Sequence, residues 1–301
     1  MSVLSVFIEV VLPIVLIFFI GYVLQKWRKL DVRSVSAVTI YVFIPALVFQ
    51  SFYETELGQE FWTIVLFAFL LLFALILLNK ILKWIMKWDE EEESGMILSS
   101  AFMNAGNYGA PVVLFAFGQE AFVIAVVFLA LQALIMNFFG VYYASRSSSG
   151  IRFALIAVMK MPATYAIIAA FIAQSLNIEI TGSTAETIEF MADVALPLMM
   201  VGLGMQLANI SFKEFETGKV VTGTTVRLVV SPLIAWALVS FMPLSSTVAT
   251  TLIVLAAMPT AATTTMYALE FKAKPELVSS VTLVSTILSV VSISILLIIL
   301  G

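Results

Sequence analysis

Long runs of apolar residues are the feature that most restricts how this chain folds. Residues 61–83 form a nearly uninterrupted apolar run, and an α-helix of about 20 such residues is long enough to cross a bilayer. Applying that length along the chain predicts ten membrane spans, numbered 1 to 10 in order: residues 3–25, 35–53, 61–83, 95–116, 120–143, 161–177, 187–208, 219–241, 247–269 and 276–300. The predicted fold class is an all-α polytopic membrane protein.

Charged residues support this fold class by their scarcity and their positions. Only 11% of the residues are charged, against about a quarter in soluble domains, which argues against a separate soluble domain. All 15 Lys and Arg residues lie in alternate connections or in the adjoining parts of the spans, as Lys80 and Lys83 do in span 3 and Arg227 does in span 8. Basic residues mark the cytoplasmic side, so both termini are predicted to be extracellular. The acidic run Asp89–Glu93 before span 4 is predicted to be a solvated loop.

Two short segments interrupt spans 4 and 9 with polar and helix-breaking residues. They run from Asn104 to Pro111 and from Met258 to Thr265. Non-helical backbone inside a membrane is tolerated only where protein or a water-filled cavity covers it. Broken helices of this kind form the substrate sites of secondary transporters. One break in each half of the chain therefore predicts a carrier whose substrate lies where the broken helices meet.

The first break has the composition of a helix that stops and restarts. Gly106 and Gly109 adopt conformations that other residues resist, and Pro111 suits the first turn of a new helix. The new half-helix is predicted to start at residues 109–112. The unpaired N–H groups and positive dipole end of such a half-helix attract anions. The alternative is a kinked helix whose Asn and Thr side chains only hold neighbouring helices together.

Candidate substrate-binding residues come from both breaks. Asn104, Asn107 and Tyr108 carry groups that bond a carboxylate or one another. The second break offers the equivalent groups from the opposite side, in Pro259, Thr260, Thr263, Thr264 and Thr265. Gln132 and Asn137 are single polar residues within the apolar span 5, a pattern typical of hydrogen bonds between helices.

Two ionisable residues inside predicted spans are candidate charge partners. Arg227 in span 8 either reaches the cytoplasmic interface with its long side chain or supplies a fixed positive charge for an anion. Asp193 in the outer part of span 7 either faces extracellular water or carries a proton during transport. The chain has no His and no Cys, so any proton coupling uses carboxylates. We expect no cofactor and no metal site.

The midpoint of the chain suggests a duplication. Residues 146–160 read as a cytoplasmic linker between five-span halves at 1–145 and 161–301. With five spans in each half, the second half enters the membrane in the opposite orientation. Three proline pairs recur at nearly one offset: Pro13 with Pro162, Pro45 with Pro197, and Pro111 with Pro259. These pairs favour an inverted repeat, and the alternative is three coincidental kinks.

At these motifs the chain resembles the auxin efflux carrier family, which holds the plant PIN-type carriers and many bacterial and archaeal transporters. The matching segments are Asn104–Pro111, Gly202–Leu207, Arg227–Pro232 and Met258–Ala261, together with Gln132. The resemblance extends over the whole chain. The long loop between spans 5 and 6 of many plant members is missing, so the chain is similar to a minimal prokaryotic form.

The resemblance implies a ten-helix inverted repeat in which helices 4 and 9 cross at their breaks. It also implies a dimerising scaffold of helices 1, 2, 6 and 7, a moving transport domain of helices 3–5 and 8–10, and an elevator-like cycle. Asn104, Asn107, Pro111, Gln132 and Pro259 become the substrate-site residues by match. The substrates it implies are small organic anions, such as dicarboxylates or auxin-like weak acids.

The sequence therefore favours a secondary active transporter of a small organic anion in the cell membrane, with no nucleic-acid partner. One alternative is a sodium-coupled organic-anion symporter of the bile-acid-transporter type, because Asn and Thr oxygens also suit sodium. A channel is less favoured, since no span shows a continuous polar stripe. An intramembrane enzyme is disfavoured by the lack of His, Cys and a Gly-x-Ser-x-Gly motif.

Overall fold

The computed structural model describes residues 3–54, 59–145, 155–156, 158–210 and 216–300. All regular elements in these ranges are helices. We number them α1 (Phe7–Arg28), α2 (Val32–Glu54), α3 (Gln59–Met86), α4 (Glu90–Ser100), α5 (105–117), α6 (119–144), α7 (Pro162–Ser175), α8 (Ser183–Ala208), α9 (Thr217–Val239), α10 (Ser246–Ala256), α11 (Ala262–Phe271) and α12 (Pro275–Leu300). The all-α prediction is confirmed.

Helices cover each of the ten predicted spans. Within the described ranges, seven helical stretches are long and apolar enough to cross a membrane. One of these stretches, Ala105–Ala144, is divided into α5 and α6 by Gly118, whose backbone has φ 79° and ψ −167°. Only glycine adopts that backbone conformation without strain. Spans 4 and 9 are each divided in two, as α4 with α5 and as α10 with α11.

Four prolines stand just after a widened, π-helical turn. These turns cover Phe7–Val11, Thr39–Phe43, Ala105–Gly109 and Val226–Val230, and Pro13, Pro45, Pro111 and Pro232 each follow by two residues. A proline has no N–H, and its ring crowds the carbonyl four residues earlier. Widening the preceding turn relieves that crowding, so these helices continue through their prolines.

Two of the three proline pairs that suggest a repeat differ in local setting, whereas Pro45 and Pro197 both lie inside helices. Pro13 lies inside a helix, whereas Pro162 begins α7. Pro111 lies near the start of α5, whereas Pro259 lies in the break before α11. Most of the predicted linker 146–160, including Arg146 and Arg152, lies outside the described residues, as does Lys213.

α1 and α8 pack at unusually short range because a glycine of each faces the backbone of the other. A Cβ atom on Gly21 would lie 2.1 Å from the carbonyl oxygen of Val201. A Cβ atom on Gly204 would lie 1.9 Å from the carbonyl oxygen of Phe18. Small residues allow membrane helices to approach this closely, so this helix pair depends on both glycines.

The acidic run before span 4 is helical and not a loop, which corrects the sequence prediction. Asp89 caps α4 through a capping box with Glu92, and carboxylates in a first helical turn are stabilised by the helix dipole. Glu93 is buried and pairs with Lys83 at 2.6 Å. The Lys219 ammonium donates to Glu92 and lowers the pKa of that carboxyl. Ion pairs thus attach the start of α4 to α3 and α9.

Candidate functional site

The two breaks cross and hydrogen-bond to each other through their backbones. The Asn104 N–H donates to the Pro259 carbonyl at 2.8 Å, and the Ala261 N–H donates to the Phe102 carbonyl at 3.0 Å. Met103 and Thr260 thereby form an isolated antiparallel bridge. Backbone groups that leave a helix inside a membrane need such partners. We call residues 101–104 and 257–261 the crossover.

Side chains behind the crossover hold it in place. The Thr260 hydroxyl donates to the Ser99 carbonyl, and the Thr260 N–H donates to the Ser285 hydroxyl of α12 at 3.2 Å. Asn79 of α3 donates to the Ser100 hydroxyl at 2.8 Å and is fully buried. Polar contacts therefore attach the crossover to α4 and α12, and attach the end of α4 to α3.

Two half-helices begin at the crossover and present their first turns to one cavity. α5 begins directly after Asn104, and α11 begins directly after Ala261. Residues 105–107 and Thr263 line a cavity of about 360 Å³. Each helix start carries unpaired N–H groups and a partial positive charge. Both half-helices therefore direct positive potential toward the same space.

The cavity has polar groups from several helices and apolar walls between them. Its remaining walls come from α2, α6, α8 and the start of α7. The polar and charged lining residues are Ser36, Thr39, Tyr41, Asn104, Asn107, Gln132, Asn137, Lys160, Gln206, Thr263, Tyr267 and Glu270. Lys160 and Glu270 are exposed. A volume of this size is typical of sites for small molecules.

Two amide donors at the cavity are buried and have no hydrogen-bond partner among the described residues. They are Asn104 Nδ2 and Gln132 Nε2, whose side chains are only 4% and 6% exposed. Leaving a buried donor unpaired costs about 1–3 kcal/mol, so each of these donors favours a bound group that accepts a hydrogen bond. A carboxylate is such an acceptor.

Not every polar lining residue is free to bind a ligand. The Tyr267 hydroxyl donates to Asn137 Oδ1 at 3.0 Å, and Asn137 Nδ2 donates to the Ala133 carbonyl at 2.9 Å. Asn137 therefore joins α6 to α11, as expected for an interhelical contact. Gln206 Nε2 donates to the Ser36 hydroxyl at 3.4 Å, which joins α8 to α2.

Four of the predicted substrate-binding residues meet at this cavity, and five do not line it. The four are Asn104, Asn107, Gln132 and Thr263. Tyr108 is fully buried and packs edge-to-face on Phe18, with ring centroids 5.0 Å apart. The other four are buried in or beside the crossover: Pro111 inside α5, Pro259 accepting from Asn104, Thr260 donating to Ser99, and Thr264 donating to Ala261.

The two candidate charge partners lie apart from the cavity lining. Asp193 is exposed on α8. Arg227 is 0% exposed, so its side chain does not reach the interface, and it hydrogen-bonds the Ser100 and Ala256 carbonyls. It bonds the two residues that directly precede the crossover strands, Ser100 and Ala256, and it does not line the cavity.

The sequence reasoning missed the cavity wall contributed by α2 and α8. Ser36, Gln206 and Gly202 belong to it. A Cβ atom on Gly202 would meet nothing within 4 Å. The segment Gly202–Leu207 carries part of the family resemblance, and that is the signal that points to this wall.

Comparisons with known proteins identify the family of the chain as a whole. The sequence model of a family described as membrane transport protein matches residues 6–153 and 147–297. An uncharacterized transporter of the archaeon Methanothermobacter thermautotrophicus is 27% identical over 290 residues, which cover 94% of this chain and 95% of the relative.

Proposed function

We propose that this chain, which belongs to the membrane transport protein family and its auxin efflux carrier (PIN-like) group, is a secondary active transporter of a small organic anion. The family is one of transporters and not of enzymes. One observation carries the anion assignment: two helix starts and the unpartnered amides of Asn104 and Gln132 border one cavity.

The chemistry of the cavity favours a carboxylate attached to a small body. Amide N–H groups and helix starts bind anions without a metal. Asn107 and Thr263 add polar groups beside Asn104. Apolar walls from residues such as Leu129 and Met199 suit the carbon frame of the substrate. A dicarboxylate and an auxin-like weak acid both meet these requirements.

We further propose an elevator-type cycle, in which α3–α6 and α9–α12 move as a transport domain against a scaffold of α1, α2, α7 and α8. The cavity supports this division, because helices of both groups line it: α2, α7 and α8 of the scaffold and α5, α6 and α11 of the transport domain. Gln174 of α7 donates to the Phe52 carbonyl of α2 at 2.9 Å, within the scaffold. Between the groups, Phe18 meets Tyr108 through rings alone, a contact that permits sliding.

The membrane topology that we propose has ten crossings in two inverted repeats, 1–145 and 161–301, joined by the linker 146–160. Both termini face outward in the cell membrane, and the basic connections face the cytoplasm. Lys160 and Glu270 then lie at a cytoplasmic opening of the cavity, which corresponds to an inward-facing state.

We propose a homodimer that forms through the scaffold helices. α7 presents an exposed apolar face with Tyr165, Ile168 and Ile172, which lipid or a second copy would cover. The mass of the protein in detergent, measured by light scattering with the detergent subtracted, distinguishes a dimer from a monomer.

Counterflow in proteoliposomes tests the transport proposal. Vesicles preloaded with unlabelled malate, malonate or indole acetate are given the labelled acid, with and without sodium and at two pH values. We expect saturable exchange of at least one acid, and its pH dependence identifies proton coupling. Exchange that requires sodium would instead indicate a symporter of the bile-acid-transporter type. Folded protein that exchanges no acid would contradict the anion assignment.

Substitution of Asn107 tests the site. We expect Asn107→Ala to raise the KM for the acid about ten- to hundredfold, since a hydrogen bond to a charged group contributes about 1.5–3 kcal/mol. Asn107→Asp keeps the shape of the side chain and adds a negative charge, so we expect a larger rise in KM. Asn107 is half-buried, and we expect both variants to elute as folded protein. Wild-type KM and turnover in Asn107→Ala would contradict the assignment.

A further inference from the structure

Arg227 joins the ends of the two half-helices that stop at the crossover. Its Nη1 donates to the carbonyl of Ser100, the last residue of α4, at 2.8 Å. Its Nη2 donates to the carbonyl of Ala256, the last residue of α10, and to the Ser231 hydroxyl. The carbonyl ends of helices carry partial negative charge, so one guanidinium caps both of them.

The positive charge of Arg227 has no acidic partner within the described part of the chain. The side chain is 0% exposed, and no carboxylate of the described residues lies within ion-pair distance of it. A buried charge without a partner is costly unless hydrogen bonds or a ligand compensate it. The two capped helix ends compensate part of this charge, and the remainder acts on the crossover.

The crossover lies within reach of this charge. Ala256 and Pro259 are three residues apart, which limits their separation to about 11 Å, and the Pro259 carbonyl binds the Asn104 N–H at 2.8 Å. For an anion about 12 Å from the guanidinium, with an effective dielectric constant of about 20, a unit charge changes the binding of a monovalent anion about tenfold.

We propose that Arg227 is the fixed positive charge of the anion site and acts from behind the crossover without touching the substrate. It positions the ends of α4 and α10 and biases the site toward anions. The buried polar groups of the cavity lining are uncharged, and its charged residues, Lys160 and Glu270, are exposed. This inference rests on the proposed transport of an organic anion. Arg227 is a positioning residue in this scheme, so its charge affects KM more than maximal rate.

A matched pair at Ser231 separates charge from structure. Ser231 is 0% exposed and contacts the guanidinium. Ser231→Asp places a carboxylate beside Arg227 and offsets the charge of the guanidinium. Ser231→Asn introduces a side chain of nearly the same shape as aspartate but without its negative charge. We expect Ser231→Asp to raise KM about tenfold relative to Ser231→Asn at similar maximal rate. Equal KM values in the two folded variants would overturn the inference.

A second pair covers the case in which Ser231→Asp does not fold. Arg227→Lys keeps the charge and Arg227→Met removes it. Both variants lose the guanidinium that bonds the Ser100 and Ala256 carbonyls together. We expect Kd for the acid, measured by equilibrium binding in detergent, to be about tenfold weaker in Arg227→Met than in Arg227→Lys. Equal Kd values would overturn the inference. If wild-type protein binds and exchanges no acid, the transport proposal itself fails, and that outcome is distinct from equal affinities in a pair.

Discussion

Gly204→Ala lowers the stability of the protein severely, although it adds one methyl group. The added Cβ would lie 1.9 Å from the Phe18 carbonyl oxygen and 2.9 Å from the Tyr22 nitrogen. These are backbone atoms of α1, which do not move aside as a side chain does. Overpacking of a core lowers the free energy of unfolding by about 1–3 kcal/mol and occasionally more. We expect Gly204→Ala to lower it by an amount at or above the top of that range. The melting temperature of the purified protein in detergent measures it.

Gly202→Ala is the matched control, two residues earlier on the same helix. Its Cβ atom would meet nothing within 4 Å, and alanine favours a helix over glycine by about 1 kcal/mol. We expect unchanged or slightly higher stability. Equal melting temperatures for Gly204→Ala and Gly202→Ala would contradict the close approach of α1 and α8.

Gly202→Phe abolishes transport in a protein that still folds. Gly202 lines the cavity and has open space above it, so a phenylalanine ring would occupy the volume in which the substrate lies. We expect counterflow at background level, with a melting temperature near that of wild type. Gly202→Ala adds a single methyl to the same wall and should retain exchange. Wild-type exchange by Gly202→Phe would place the substrate elsewhere.

Much of the fold follows from local sequence. Helix positions follow the apolar runs, and both breaks stand where Asn, Gly, Pro and Thr interrupt those runs. Asn104 and Asn107 reach the cavity because α5 starts directly after Asn104. The glycines and Pro111 predict a later start, at residues 109–112, because the local sequence does not show the widened turn Ala105–Gly109. Local composition therefore located the two breaks that form the crossover, and the part of the cavity wall that the first break contributes.

The remaining features depend on contacts between distant segments. Arg227 binds carbonyls 127 and 29 residues away in sequence, and no local pattern gives those partners. Tyr108 does not line the cavity although Asn107 does. The two residues are neighbours in one widened helical turn, and neighbouring side chains on a helix point in different directions. The wall from α2 and α8 joins residues 170 positions apart, such as Ser36 and Gln206.

The acidic run before α4 shows how a composition can mislead. Consecutive carboxylates are typical of solvated loops, yet here Asp89 caps a helix and Glu93 is buried against Lys83. The capping spacing from Asp89 to Glu92 was present in the sequence and is the signal that distinguishes a helix start from a loop.

The central claim, that an organic anion binds at the crossover, is tested most directly by a structure of the protein with its exchanged acid bound. We expect a carboxylate oxygen within about 3 Å of the Asn104 or Gln132 side-chain nitrogen, beside the first turns of α5 and α11. An acid bound outside this cavity, with both amides still unpaired, would contradict the claim.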